Sequence, residues 1–536
     1  MDAIPQQMPG ATAPATDDAT SDILPREFKR NLAHISRQAL VFFAGTLFTM
    51  AAGYLVKIYV ARVLGAELLG LYALGMTLVS LTQLLGTLGL HSTAARYVAV
   101  YNATAKFDEL RSFLTRSIGI VALLNLIFSF GLVFGGRFVA RVLYHAPGLQ
   151  KFIPLFALLA FLGAINVFYA QVLGGFKDVA KRTVITNFVG SPLVAALTVI
   201  LLALRTGMWG YLAAQIITAM VLVILLVAAA RKLTPRAARF ARQAMPPMDP
   251  EIKAFAAASF GMGVLDFVVC QADKIMLGLY LKPSLVGIYV LASTLSAFIP
   301  IVLQSVNQIF APVIADLHAQ SRLDVLQKLF QTLTKWVVVL TLPLASVMIV
   351  FAGPLMRIFG PEFEIGWTVL MVGAVGQIVN CATGSVGYLL LMSGNQRRLI
   401  RVQFAMAGIS IALNVLLIPA YGIVGAAMAA ACVNVAGNVW NLWEVRRALH
   451  ISPYNRSYSA LILPTAGMLT GIFLFRHFLN SFAHAWLGLG LALIGSYVLF
   501  GALTVWFGLD SEDRLMARGA WVQFRSGMQK LGVSVS

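Results

Sequence analysis

Two stretches of the chain decide the fold: KIYVARVLGAELLGLYALGMTL at 57–78 and KIMLGLYLKPSLVGIYVLASTL at 274–295. They align without gaps and are identical at nine of 22 positions. The identities include the pairs Lys57 and Lys274, Gly70 and Gly287, and Tyr72 and Tyr289.

Two further matches occur at nearly the same offset. A shift of 219 residues pairs Tyr169 and Gly175 with Tyr388 and Gly394, and a shift of 215 pairs Gly207 and Gly210 with Gly422 and Gly425. Similar offsets at three places indicate an internal repeat. The sequence therefore predicts a duplicated six-helix unit, with two more helices appended.

The composition is that of a protein whose main solvent is lipid. Of the 536 residues, 59% are hydrophobic and only 11% charged, and the mean hydropathy is +0.83. Apolar stretches of about 20 residues, long enough to cross the hydrocarbon core as helix, recur along the chain. We therefore predict an all-α, polytopic membrane protein with about fourteen transmembrane helices, at 38–61, 68–91, 117–136, 152–173, 184–204, 208–230, 254–279, 285–315, 329–352, 367–393, 402–418, 421–443, 459–479 and 485–507.

The net charge of +19 reflects topology and not a nucleic-acid partner, because the basic residues lie in short segments between apolar runs. With the N-terminus in the cytoplasm, most of the 40 Lys and Arg residues fall on the cytoplasmic side. The opposite side carries only Arg62, Arg137, Arg141, Lys151, Arg205, Lys282, Arg357 and Arg476. This asymmetry predicts that both termini are cytoplasmic.

The same pattern predicts the domain organisation. We expect a disordered cytoplasmic tail at 1–37, an N-terminal lobe at 38–230, a basic cytoplasmic linker at 231–253 and a C-terminal lobe at 254–445. Two additional helices follow at 459–507, and a second cytoplasmic tail at 508–536. Each repeat has an even number of helices, so both have the same orientation, which places a substrate path between the two bundles.

Ionisable residues inside the bilayer are few. Lys57 lies in the first predicted helix, and Asp266, Asp273 and Lys274 lie in the seventh. Such residues usually face the bundle interior or an aqueous cavity. Asp266 and Asp273 are two turns apart on one helical face. The lysines could attract an anionic substrate while an aspartate accepts H⁺ or Na⁺, or Asp273 could form a static ion pair with a lysine.

The eighth predicted helix carries Gln304, Asn307 and Gln308 before Pro312. A polar face next to a helix breaker is typical of helices that line a cavity. Ordinary hydrogen bonding between helices is the alternative. We find no nucleotide-binding loop, no zinc-ligand spacing and no catalytic triad, and so expect no cofactor beyond H⁺ or Na⁺ coupling.

Four segments resemble those of a known family: ARVLGAELLGLYAL at 61–74, QADKIMLGLYLKPSLVGIYVLAS at 271–293, RIFGPEFEIGW at 357–367 and IPAYGIVGAAMAAA at 418–431. They are similar to segments of the polysaccharide-biosynthesis flippases, which belong to the multidrug/oligosaccharidyl-lipid/polysaccharide exporter superfamily. The resemblance covers about residues 38–450. It implies two six-helix lobes, a central cavity, and alternating access.

The resemblance also implies a substrate and a site. Flippases of this kind move undecaprenyl-diphosphate-linked oligosaccharides, and cationic residues in the cavity hold the diphosphate. Lys57 and Lys274 match that role, with Arg62 as a third candidate. The partners implied are the lipid-linked oligosaccharide, membrane lipids and the polysaccharide polymerase or ligase machinery. Two alternatives stay open: cation-coupled multidrug efflux on the same scaffold, and a membrane polysaccharide polymerase or ligase.

Overall fold

The computed structural model describes residues 18–235, 248–479 and 485–508, with side chains described from residue 53. Within these ranges all regular structure is helical and no strand occurs, which confirms the all-α prediction. Lipid offers no hydrogen-bond partner to a backbone N–H or C=O group, and a helix satisfies these groups internally.

Among the described residues, the first half of the chain has seven helices: α1 Asp18–Thr87, α2 Leu90–Ala103, α3 Phe107–Phe138, α4 Ile153–Gly175, α5 Val179–Thr183, α6 Gly190–Ala203 and α7 Gly207–Leu233. Ten follow: α8 Pro250–Tyr280, α9 Pro283–Ser296, α10 Ile301–Ala319, α11 Leu323–Val350, α12 Ala352–Arg357, α13 Trp367–Thr383, α14 Val386–Met392, α15 Gln396–Leu449, α16 Ile462–Leu479 and α17 Ala485–Gly508. Short π and 3₁₀ turns join several of them, at Val139–Leu143, Pro147–Phe152, Val184–Val189, Pro361–Gly366 and Arg456–Leu461.

In the described part of the chain, ten helices are long and apolar enough to cross a membrane, or up to eleven if the bent pair α9 and α10 forms one span. Two of these helices contain an internal break. In α15, Gly422 departs from helical geometry with φ 59° and ψ −133°. A straight helix of its 54 residues would extend about 80 Å, far more than a bilayer is thick. The break therefore divides α15 into two span-length segments, and Gly65 likewise interrupts α1 before its last 22 residues.

The breaks follow the sequence repeat. Gly207, which begins α7, has φ 59°, and its repeat partner Gly422 has the same value. A positive φ suits glycine because it has no Cβ atom. The predicted helix pattern leaves two short gaps, at Arg205–Gly207 and at Pro419–Tyr421. The first contains the break at Gly207, and the second lies one residue before the break at Gly422.

The prediction for the N-terminal tail is partly wrong, because α1 begins at Asp18 and residues 18–37 are helical. Residues 1–17, most of the predicted linker (236–247) and all but the first residue of the predicted C-terminal tail (509–536) lie outside the described residues. The division into lobes stays a prediction. The two last helices, α16 and α17, pack on α11, where Tyr497 donates a hydrogen bond to the Leu340 carbonyl at 2.7 Å.

The halves meet in what we call the glycine seam, formed by Ala66 and Gly70 of α1 and Pro283 and Gly287 of α9. A Cβ atom added to Gly70 would collide with the Pro283 carbonyl, and one added to Gly287 would collide with the Ala66 carbonyl. The backbones of the two repeat-equivalent helices are therefore in contact, as small residues permit in membranes. The largest hydrophobic cluster surrounds this seam and draws residues from both halves.

A second contact lies past the end of α1, where α2 meets the beginning of α8. We call it the Glu251 seam, formed by Arg96, Tyr97, Glu251 and Phe255. The Tyr97 hydroxyl donates to Glu251 at 3.0 Å, and the Arg96 guanidinium lies 4.6 Å from the Phe255 ring centre. The halves thus touch at both ends of the same helical span.

We expect Gly70→Ala to favour a state in which the glycine seam is open. Alanine is the better helix former, so any destabilisation must come from the clash with Pro283. Overpacking of this kind costs about 1–3 kcal/mol. Spin labels at the exposed positions Val63 and Ile365, in a cysteine-free background, should show a longer distance.

Gly387→Ala is the matched control, because nothing lies within 4 Å of a Cβ atom added there. Identical distance distributions in the two variants would contradict the prediction.

Candidate functional site

The candidate site begins with α8, which carries three of the four ionisable residues singled out in the sequence. Asp266 and Asp273 line one cavity of about 410 Å³, so their predicted placement on a common face is correct. The cavity lies within the second half of the chain, among α8, α9, α13 and the two segments of α15. It is therefore separate from the path expected between the halves.

Asp266 is exposed and makes little contact. Its nearest polar neighbour is the Cys270 thiol, with 3.9 Å between Sγ and Oδ1. A thiol is a weak donor, so the carboxylate is largely unsatisfied by protein groups.

Asp273 is held on two sides. The hydroxyl of Tyr289, which is 1% exposed, donates to Oδ2 at 2.6 Å. The Lys274 ammonium lies 3.5 Å from Oδ1 and donates to the Cys270 carbonyl at 2.6 Å. The Asp273 side chain is 14% exposed and that of Lys274 is 23% exposed. The structure thus contains an ion pair between Asp273 and Lys274, but it lies within one helix and does not join the two halves.

The remaining cavity wall is rich in side-chain amides that sequence analysis missed. The buried Oδ1 atoms of Asn414 and Asn441 have no hydrogen-bond partner among the described residues. Asn438 donates to Asn434 Oδ1 at 2.6 Å. Asn434, Asn438 and Asn441 follow each other at intervals of four and three in an apolar segment, a spacing that would have revealed this polar face. The other polar lining residues are Ser293, Ser296, Gln377, Gln403 and Ser410.

Lys57 has a different environment from its repeat partner. Its side chain is exposed, and among the described residues no carboxylate lies within ion-pair distance. Tyr54, three residues earlier and so on the same side of the helix, packs edge-on against Phe298 and Phe359 of the second half, at 4.9 and 5.9 Å between ring centres. Lys57 is therefore on the face of α1 turned toward the other half.

Lys274 faces the first half by the same reasoning. Gly278, one turn later on α8, is in such close contact with Leu74 and Tyr144 that a Cβ atom there would collide with both. The repeat-equivalent lysines therefore lie on the helix faces that the two halves turn toward each other.

Arg62 lies at the contact between the halves, where its Nε donates to the Ile358 carbonyl at 2.8 Å. Close by, Glu362 accepts from the Ala66 amide at 2.9 Å, at the start of the helical segment that follows Gly65. A carboxylate is favourable at a helix N-terminus. Arg62 is thus engaged with the opposite half, in a different setting from the two lysines.

Gln304, Asn307 and Gln308, which the sequence predicts to line a cavity, are not among the residues that line the cavity beside Asp266. Gln304 and Gln308 are exposed, and Asn307 is partly buried with an Oδ1 atom that has no partner among the described residues. Their role in lining a cavity stays a prediction.

Comparison with known proteins gives the family. A family model described as "Polysaccharide biosynthesis protein" matches residues 35–318, just over half of the chain. A curated relative, the "Probable flippase AglR" of Haloferax volcanii, is 26% identical over 184 residues. That match covers 34% of this chain and 39% of the relative, so it spans well under two thirds of the relative's length.

Solved structures give the fold. A structure entitled "Lipid II flippase MurJ, inward closed conformation" is similar with a TM-score of 0.67 and 15% identity, over 87% of this chain and 98% of that one. An inward-facing multidrug resistance MATE family transporter of the MOP superfamily is similar with a TM-score of 0.60 and 13% identity, over 77% of this chain and 98% of that one. At such low identity these structures establish a common architecture alone. The family match over residues 35–318 carries the assignment: this multi-pass membrane protein belongs to the polysaccharide biosynthesis protein family.

Proposed function

We propose that this chain is a flippase that moves undecaprenyl-diphosphate-linked oligosaccharide repeat units from the cytoplasmic to the outer leaflet of a bacterial inner membrane. Both termini lie in the cytoplasm, and transport proceeds by alternating access. The observation that carries the proposal is Lys57, which lies on the helix face turned toward the opposite lobe and has no carboxylate partner among the described side chains.

An unpaired cation in this position suits a lipid diphosphate. The phosphate charges must cross a low-dielectric space, where an uncompensated charge costs several kcal/mol. Lys57 and Lys274 approach from opposite lobes and can bind one headgroup together. Lysine supplies a compact charge on a long flexible stem, which can follow the headgroup as the lobes move. Arg62, already bound to the Ile358 carbonyl, acts instead in the contact between the lobes.

The two seams serve as the two gates of the transporter. In the present state both the glycine seam and the Glu251 seam are closed, so a headgroup between the lobes would be shielded at each end. Opening the Glu251 seam admits the lipid headgroup from the cytoplasm, and opening the glycine seam releases it outward. Exposed ion pairs such as Arg96–Glu251, at 3.7 Å, contribute little to stability and so separate readily.

Cation coupling is assigned to the cavity in the second lobe. Asp266 has an almost unsatisfied carboxylate, and the unpaired amide oxygens of Asn414 and Asn441 line the same cavity. Carboxylate and amide oxygens are suitable ligands for a hard cation. We assign Asp266 to binding H⁺ or Na⁺, and Asp273 to holding Lys274.

The alternative function, cation-coupled efflux of drugs, is favoured by the structural similarity to a MATE family transporter. Exported cationic drugs need a negative binding site, and the unpaired Lys57 opposes that. Relatives named as flippases and transporters also make a polymerase or ligase activity less favoured. Resistance to cationic drugs on expression, without any effect on surface glycan, would support the efflux function.

We expect the double variant Lys57→Ala, Lys274→Ala to lose more flipping than either single variant, because each lysine contributes charge to one headgroup. Lys→Arg at either position should be partly tolerated, since the charge is kept. The measurement is surface display of the glycan in a host that lacks its own flippase, with the membrane level of every variant checked. Full display from the double alanine variant would rule out joint binding of the diphosphate by Lys57 and Lys274.

We expect Asp266→Asn to abolish the cation dependence of flipping while leaving the thermal stability of the purified protein unchanged. Asp273→Asn should lower that stability by about 1–3 kcal/mol, because it leaves the partly buried Lys274 without its counter-charge. Flipping in vesicles with and without a cation gradient, together with melting curves in detergent, separates the two roles. The assignment fails if Asp266→Asn transports with an unchanged response to the gradient.

A further inference from the structure

Residues 273 and 274 place a carboxylate and an ammonium group on either side of the cavity wall. Asp273 lines the cavity, whereas Lys274 does not. Lys274 reaches back to Asp273 at 3.5 Å from the helix face that turns toward the first lobe. The pair therefore connects the space assigned to a cation with the space assigned to the diphosphate.

The repeat supplies an internal comparison. Residue 56, which matches Asp273, is valine, so Lys57 has no neighbouring carboxylate. Likewise the hydroxyl of Tyr72 bonds to the neutral Gln215 at 2.8 Å, whereas its partner Tyr289 bonds to Asp273 at 2.6 Å. Of the two repeat-equivalent lysines, Lys274 is therefore the one with a carboxylate partner among the described residues.

We infer that the Asp273–Lys274 pair is a charge switch that makes the cation and the lipid diphosphate bind cooperatively. This inference rests on the proposed function. While the pair is intact, Asp273 offsets the charge of Lys274 and repels an approaching diphosphate. A cation in the cavity neutralises Asp273 and releases Lys274 toward the substrate.

Linkage makes the effect reciprocal: a diphosphate that draws Lys274 away leaves the charge of Asp273 uncompensated, which raises the affinity of the cavity at Asp266 for a cation. The two ligands therefore load the same state of the protein. Competition between substrate and cation for one carboxylate would have the opposite effect, because each ligand would then lower the affinity for the other. Tyr289 keeps Asp273 in place through its buried hydroxyl, so the carboxylate stays at the cavity wall when Lys274 leaves.

The test is the binding of undecaprenyl diphosphate to the full-length protein in nanodiscs, with sodium replaced by choline at constant pH and ionic strength. We expect wild-type affinity to rise about tenfold with sodium, within the usual range of about 5- to 150-fold for coupled sites. Asp273→Asn should bind with the high affinity in choline already, and sodium should add nothing.

Three variants show whether the effect passes through Lys274. Adding Lys274→Ala to Asp273→Asn should remove the gain in affinity, as a double-mutant cycle requires. Lys57→Ala, the matched control in the other lobe, should weaken binding in both salts and keep the tenfold ratio. If Asp273→Asn does not fold, Lys274→Gln replaces it in the test. Its affinity for undecaprenyl diphosphate should be the same in sodium and in choline.

The outcomes separate the inference from the function on which it rests. A wild-type protein that flips the lipid but binds it equally in sodium and choline, or more weakly in sodium, overturns the charge switch alone. So does Asp273→Asn with unchanged affinity in choline. A wild-type protein that neither binds nor flips the lipid overturns the proposed function together with the inference.

Discussion

Backbone contact between α1 and α9 at Gly70 and Gly287 is the constraint on which the rest of the structure depends. Lipid gives apolar helices no hydrophobic reason to associate, so close packing of small residues must supply the attraction. The contact sets the distance between the two halves at one end. It also fixes which faces of α1 and α8 are turned toward the opposite half, and therefore where Lys57 and Lys274 lie. A side chain at either glycine would move the lysines apart as well as open the seam.

The duplication explains why so much of the architecture follows from the sequence. Matching segments at offsets near 217 predict two similar units. Of the two short gaps between predicted helices, one contains the break at Gly207 and the other lies one residue before the break at Gly422. The common face of Asp266 and Asp273 follows from their spacing alone. These features are local, since helical period and glycine conformation depend on neighbours in the chain.

Features that depend on tertiary contacts could not be predicted from the sequence. The cavity beside Asp266 needs α8 to pack against both segments of α15, which no local pattern specifies. Asp273 and Lys274 are adjacent in the chain, yet the hydroxyl that fixes Asp273 comes from Tyr289 on another helix. The contact made by Arg62 could not be predicted for the same reason, because its partner Ile358 is 296 residues away. Residues 18–37 were assigned to a tail because they lack an apolar run, although a helix can extend beyond the membrane without one.

The two halves share a sequence repeat but differ in the charged residues at equivalent positions. A carboxylate and an ammonium group side by side carry almost no net charge, which lowers the cost of keeping both in a bilayer. An isolated lysine such as Lys57 costs more, and a site with a missing negative charge is a good receptor for an anion. Under the proposed function, the first lobe presents Lys57 as an uncompensated cation, and the second presents a cation whose charge depends on what occupies the cavity behind it. On that proposal, two uncompensated cations would bind a diphosphate more tightly than this asymmetric pair, and two compensated cations would bind it more weakly. The asymmetry between Val56–Lys57 and Asp273–Lys274 avoids both extremes while the fold stays nearly symmetric.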